Sequence, residues 1–184
     1  MKWLGLIGRL RGRARGPLPS EDKFEPTFEQ SRAMWRQRWL SALQHFADTD
    51  AQRRWLDTSE HNPHYSYVEC MACYFDDAFF PGHEIDRWVS LGYMIEAEYV
   101  AMSPFHRLVE NYRPPNDDPY DCDAILADAR WGEVVRSAQN VQAALAALIS
   151  EPTELAALKS PRDWIELDGG GYRSSDGSFI VSAS

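Results

Sequence analysis

The sequence predicts a mainly α protein, a compact antiparallel multi-helix domain with a short C-terminal β-hairpin and a basic N-terminal arm. Two observations carry this. Apolar residues recur at three- and four-residue steps over several segments bounded by capping residues. The last 25 residues change to short apolar runs separated by Gly- and Ser-rich turns. At 184 residues, 44% apolar and 12% aromatic, the chain suits one packed domain and not a disordered segment. Three cysteines are too few for a disulfide scaffold, and no apolar run approaches the roughly 20 residues that span a bilayer.

Residues 1–24 form the arm. Leu4, Ile7 and Leu10 make a short apolar helical stripe beside Trp3 and Leu6, and Arg9, Arg11, Arg13 and Arg15 alternate up to Gly16-Pro17. In a secretory signal charge precedes the apolar region; here the order is reversed and no small-residue cleavage site follows. The expectation is a cytoplasmic chain whose arm, within residues 1–15, can touch a membrane surface or an acidic neighbour.

The helical domain is assigned to residues 25–158. Thr27-x-x-Gln30 is a capping box that opens a helix carrying Trp35, Trp39, Ala42, Leu43 and Phe46 as its core stripe, with Arg32, Arg36 and Arg38 largely off it, and ending near Ala47. Asp48, Thr49 and Asp50 offer the next cap, for a short helix over Ala51 to Leu56. Ser66-x-x-Glu69 starts a helix whose expected core face is Val68, Met71, Ala72, Phe75 and Phe79, ended by Pro81-Gly82. Glu84 to Leu91 places Ile85, Trp88 and Val89 on one side, with Gly92 as a left-handed cap. The next helix runs from about Ile95 to Tyr112, with Pro104 expected to kink or split it. Asn116 to Asp123 reads as an acidic loop. Asp128 caps a long helix carrying Trp131, Val134, Val135, Ala138, Val141, Leu145 and Leu148, and a short turn of helix follows at Leu155 to Leu158. Residues 159–184 are a Gly/Ser-rich tail, in which Trp164 to Leu167 and Tyr172 to Val181 read as strands.

Charge narrows the function. The arm holds six basic and two acidic side chains, a net of +4, so the rest of the chain carries −13 of the total −9. Between Asp48 and Asp128 there are 17 acids against five arginines. Such a field repels nucleic-acid phosphate and attracts a basic protein. The candidate contact surface is Asp76, Asp77, Glu84, Asp86, Glu96, Glu98, Asp117, Asp118, Asp121 and Asp123, with Tyr93, Tyr112 and Tyr120 as anchors.

Catalytic signatures are sparse. His61-x-x-His64 followed by Cys70-x-x-Cys73 has the ligand types of a tetrahedral zinc site, but finger-type sites put cysteines first and separate the pairs by about twelve or more residues; five lie between His64 and Cys70. The same Cys-x-x-Cys lacks the preceding strand of a thioredoxin site. His106 and Glu110 are i,i+4 neighbours, yet no Glu-x-x-His occurs for a di-iron bundle. There is no phosphate loop, nucleophile elbow or His-Glu-x-x-His. No cofactor is expected and no catalytic residue is assigned.

Two stretches carry a family resemblance. One is Trp55-Leu-Asp, His61-Asn-Pro-His, Ser66-Tyr-Val-Glu and Cys73-Tyr-Phe-Asp-Asp77. The other is Pro119-Tyr-Asp followed by Ala124-Ile-Leu-Ala-Asp-Ala-Arg-Trp-Gly-Glu-Val-Val135. Over roughly residues 30–150 the chain resembles small, acidic, mostly helical bacterial proteins without an assigned reaction, similar to immunity proteins of contact-dependent toxin systems. The resemblance implies a cytoplasmic, non-catalytic protein that binds a basic partner such as a toxin domain. The alternatives are a metal- or thiol-dependent enzyme using His61, His64, Cys70 and Cys73, and a peripheral membrane scaffold tethered by residues 1–15.

Overall fold

A computed structural model describes residues 25–57, 66–79 and 85–160, together with the backbone of three short strands in the tail. The arm, His61, His64 and Glu84 lie outside the described residues.

Helix α1, Phe28–Ala47, opens on the expected capping box: Thr27 Oγ1 accepts from the Gln30 amide at 3.3 Å, and the Thr27 amide donates to Gln30 Oε1 at 2.9 Å. It closes at Asp48, whose extended backbone ends α1 and whose Oδ1 accepts from the Asp50 and Ala51 amides at 3.0 and 2.9 Å. One residue therefore ends α1 and begins α2, Thr49–Arg53, which tightens into a 3₁₀ turn over Arg54–Leu56. Trp39 to Gln44 are all buried. The second half of α1 is thus enclosed on every side, and packs on α7, α8 and a widened turn after α3. Arg36, expected off the core stripe, is buried within it, and Trp35 is only half-buried, against Trp88.

Helix α3, Tyr67–Ala72, is capped by Ser66 Oγ, which accepts from the Glu69 amide at 3.1 Å. It continues as a π-helical turn over Cys73–Ala78, closed by the Phe79 amide on the Tyr74 carbonyl at 3.0 Å. The widening corrects the expected core face. Tyr67, Cys70, Cys73, Tyr74, Ala78 and Phe79 are buried, whereas Val68, Met71 and Phe75 flank the core half-exposed. A single 3.6-residue period cannot run through a segment whose hydrogen bonds change from i→i+4 to i→i+5.

Helix α4, Ile85–Ser90, buries Ile85 and Trp88. Gly92 follows at φ 75°, and a Cβ there would also meet the Phe28 ring at 3.1 Å. Helix α5, Glu96–Asn111, runs unsplit through Pro104. Pro104 removes the amide partner of the Val100 carbonyl, and both residues lie on the solvent side of the helix, where that loss is least costly.

Asn116 and Asp117 both take left-handed φ, 56° and 55°, in the connection beyond α5. The expected loop ends earlier than Asp123: α6 spans Cys122–Ala127, with Asp121 Oδ1 accepting from the Ala124 amide at 3.0 Å. Asp128 ends α6 and caps α7, Ala129–Leu148, accepting from the Arg130 amide at 2.9 Å. Of the stripe expected on α7, Trp131, Val134, Val135, Ala138, Val141 and Leu145 are buried, and Leu148 is exposed. Helix α8, Pro152–Lys159, starts with Pro152 in its first turn, where the missing N–H costs nothing. The core is aromatic at its centre: Trp131 touches Phe46, Trp55, Tyr67 and Tyr112 with ring centroids 5.1–5.7 Å apart. Its indole N–H donates to Gln52 Oε1 at 3.1 Å, and the Gln52 amide closes on the His45 and Phe46 carbonyls at the end of α1.

In the tail, the backbone of β1 (Trp164–Glu166), β2 (Gly171–Ser174) and β3 (Ile180–Ser182) pairs antiparallel in that order. The connecting turns and all side chains of this segment lie outside the described residues.

Candidate functional site

The chain between α5 and α6 concentrates exposed charge. Asp117, Asp118, Asp121 and Asp123 are exposed, and Tyr120 stands among them at 78% exposure. The backbone here is fixed locally. Two overlapping turns start it, the Asp117 and Asp118 amides donating to the Pro114 and Pro115 carbonyls at 3.1 Å each, the Asp118 carboxylate accepts from the Tyr120 amide at 2.9 Å, and Asp121 is committed to α6. Asparagine and aspartate tolerate the left-handed region better than other side chains, which suits positions 116 and 117. A backbone already fixed before contact removes the loop's share of the ordering cost of binding.

The other expected surface residues divide. Asp76, Asp86 and Glu96 are exposed on the π turn, α4 and α5; Asp77 is half-buried. Tyr93 is half-buried between Phe28 and Trp88, with ring centroids 6.0 and 5.4 Å away, so it packs as part of the body. Two residues are corrected outright. Glu98 is 1% exposed and Tyr112 is buried, so neither can meet a partner.

Glu98 belongs to a buried ion cluster. The Arg36 guanidinium donates to both Glu98 oxygens at 2.8 and 2.6 Å, to both Glu154 oxygens at 2.6 and 2.7 Å, and to the Tyr93 carbonyl at 3.2 Å. All of its N–H donors are thereby used. Burial alone lowers the Arg36 pKa; its bonds to Glu98 and Glu154 more than reverse this and hold it above the usual arginine range. Glu98 Oε2 also accepts from the Ile95 amide at 2.9 Å, closing the start of α5. One arginine thus ties α1, α5 and α8 together.

Tyr112 packs against Trp131, the rings tilted by 57° with centroids 5.1 Å apart, and donates to Asp128 Oδ2 at 3.3 Å. Burial first, then the Asp128 charge, push its phenol well above the ordinary range. Bonds to Arg130, from side chain and backbone, hold the Asp128 carboxyl below its ordinary value. Several acids in the most negative stretch, Asp48, Glu98, Asp121 and Asp128, are therefore engaged in building the fold.

A second pairing was not foreseen. Tyr74, fully buried, lies with its hydroxyl 2.9 Å from His106 Nδ1. Burial raises the Tyr74 pKa well above normal and lowers that of His106, with Glu110 partly opposing the latter. A phenol that keeps its proton donates to Nδ1, and we assign the remaining ring hydrogen to Nε2. In this tautomer the half-buried imidazole, ringed by Tyr74, Phe75 and Phe79, offers an N–H and no basic nitrogen.

Of the metal or thiol quartet, Cys70 and Cys73 are buried. Burial first, then Cys73 and Glu69, hold the Cys70 thiol well above its ordinary pKa, the reverse of what thiolate chemistry needs. Cys73 Sγ lies 3.7 Å from Glu69 Oε1. Among the described residues no three His, Cys, Asp or Glu side chains are grouped to hold a metal ion, and no helix is long and apolar enough to cross a membrane. In comparisons with known proteins the chain matches no family model, no curated protein and no solved structure.

Proposed function

We propose that this chain is a non-catalytic, cytoplasmic binding protein that recognises a basic protein, in the manner of an immunity protein neutralising a cognate basic toxin domain. The observation that carries the reading is Tyr120, 78% exposed within a locally fixed turn among Asp117, Asp118, Asp121 and Asp123. An exposed tyrosine supplies large contact area at low ordering cost, and interface energy concentrates on such anchors. The surrounding carboxylates, with Asp76, Asp86 and Glu96 as outlying charge, draw in a cationic partner and set its on-rate. Glu98 and Tyr112 have no part in this surface.

The test takes the purified products of the neighbouring genes, basic domains first, as candidate partners. Association followed by stopped flow slows steeply with added salt, and Tyr120→Ala raises Kd by about tenfold, the effect of losing one anchor. Absence of binding, or a complex indifferent both to salt and to Tyr120→Ala, refutes the reading.

A further inference from the structure

The solvent side of α5 carries an apolar stripe beside the exposed polar residues Glu96, Arg107, Glu110 and Asn111. Ala97, Val100, Pro104 and Leu108 recur at three- and four-residue steps and are exposed, Val100 at 62%. They lie opposite the buried arc Glu98, Met102, Phe105 and Val109. Glu96 and Glu110, with Arg107 between them on the helix, edge the stripe. At the N-terminal end of α5 the apolar surface begins with exposed Ile95.

The chain enters the described fold at this same end. Phe28 stacks on Tyr93 with ring centroids 6.0 Å apart, and Arg32 Nε donates to the Gly92 carbonyl at 3.1 Å. The first turns of α1 thus lie beside the segment that leads into α5. The helix, 16 residues long, spans about 24 Å. The nine residues from Gly16 to Phe24 reach about 30 Å when extended, enough to bring residues 3–15 onto any part of the stripe. The two also match in character. Residues 3–10 supply Trp3, Leu4, Ile7 and Leu10, the arm carries a net +4, and the remainder of the chain carries −13. A body of that sign repels an anionic bilayer and attracts its own arm.

We propose that residues 3–15 dock onto the exposed face of α5 in the same molecule, their apolar side chains covering Val100, Pro104 and Leu108 and their arginines meeting the acidic surface beside it. The occupant is the chain's own arm, tethered within reach and therefore present at high effective concentration.

The test is photo-crosslinking in the full chain, with p-benzoylphenylalanine in place of Val100, of Leu108 and, as control, of the exposed Ala144 on α7. Positions 100 and 108 should give monomer-sized products that map to residues 3–15, while position 144 does not. Reversing Arg9, Arg11, Arg13 and Arg15 to Glu should lower the yield by about tenfold. Three results overturn the proposal: no product with residues 3–15 at either position, a dimer-sized product joining two copies, or a yield unchanged by the charge reversal.

Discussion

Replacing Arg36 by methionine keeps most of the side-chain volume and removes the one cation that Glu98 and Glu154 share. Glu98 has nowhere to turn, its side chain being 2% exposed; that of Glu154, at 15%, can relax partly towards water. Breaking a buried pair by deleting one partner costs about 3–5 kcal/mol. Because Glu154 relaxes and methionine fills the space, we expect a loss of about 4 kcal/mol, a large part of the roughly 5–15 kcal/mol that holds a domain folded. With a urea slope near 2 kcal/mol per molar, the midpoint falls by about 2 M, read from tryptophan fluorescence. The cause is an unpaired carboxylate, so adding Glu98→Gln, which still accepts from the Ile95 amide, should restore at least about 1 kcal/mol. A loss below about 1 kcal/mol, or a double variant no more stable than Arg36→Met, refutes the assignment of Arg36 as the tie between α1, α5 and α8.

Tyr120→Ala should leave the urea midpoint unchanged to within about 0.5 kcal/mol; a larger loss means that Tyr120 supports the fold and is not held out for a partner. Because burial lowers the His106 pKa in the folded chain, the unfolded chain takes up its proton first as pH falls through about 6.5. Stability from this group is therefore full above that pH and is lost below it. The Tm of the parent should drop further between about pH 7 and 5 than that of His106→Gln, and equal drops mean that burial does not hold the His106 imidazole neutral in the folded chain. Gly92→Ala should lose about 1–2 kcal/mol from its left-handed φ, plus a clash with the Phe28 ring that Phe28→Ala relieves; equal losses with and without Phe28 mean that the ring yields.

Helices α1 and α7 were legible because their apolar positions keep one period over 20 residues each and their first residues, Thr27 and Asp128, use side chains to cap. The face of α3 was not, because the hydrogen-bond pattern changes inside it, and pattern reading assumes that it does not. Arg36 and Glu98 defeat a pattern reading because charge ordinarily marks the surface. Their spacing said otherwise. Arg36 stands three, four and seven residues before Trp39, Leu40 and Leu43, and Glu98 stands four, seven and eleven before Met102, Phe105 and Val109. A charged residue in phase with a core arc is a candidate for an internal pair, and two of opposite sign on different helices point to each other. The exposed acidic loop was legible from composition, apart from its last two residues, Cys122 and Asp123. Tyr112 was assigned to that surface by sequence proximity, and ring packing on Trp131 removes it. The pairing of Tyr74 with His106 left no trace in local sequence, because it joins residues 32 positions apart.

Asp48 and Asp128 each cap the end of one helix and the start of the next. Such corners have no slack. One inserted residue would part the end of one helix from the cap of the next and displace the following helix against the core, moving Trp131 and Val134 in one case and loosening the hold of Gln52 on the end of α1 in the other. Natural variation in chain length is thereby steered away from these two points and towards the connection between Tyr112 and Asp121, so relatives that keep this architecture should differ most in the size of the segment that presents Tyr120.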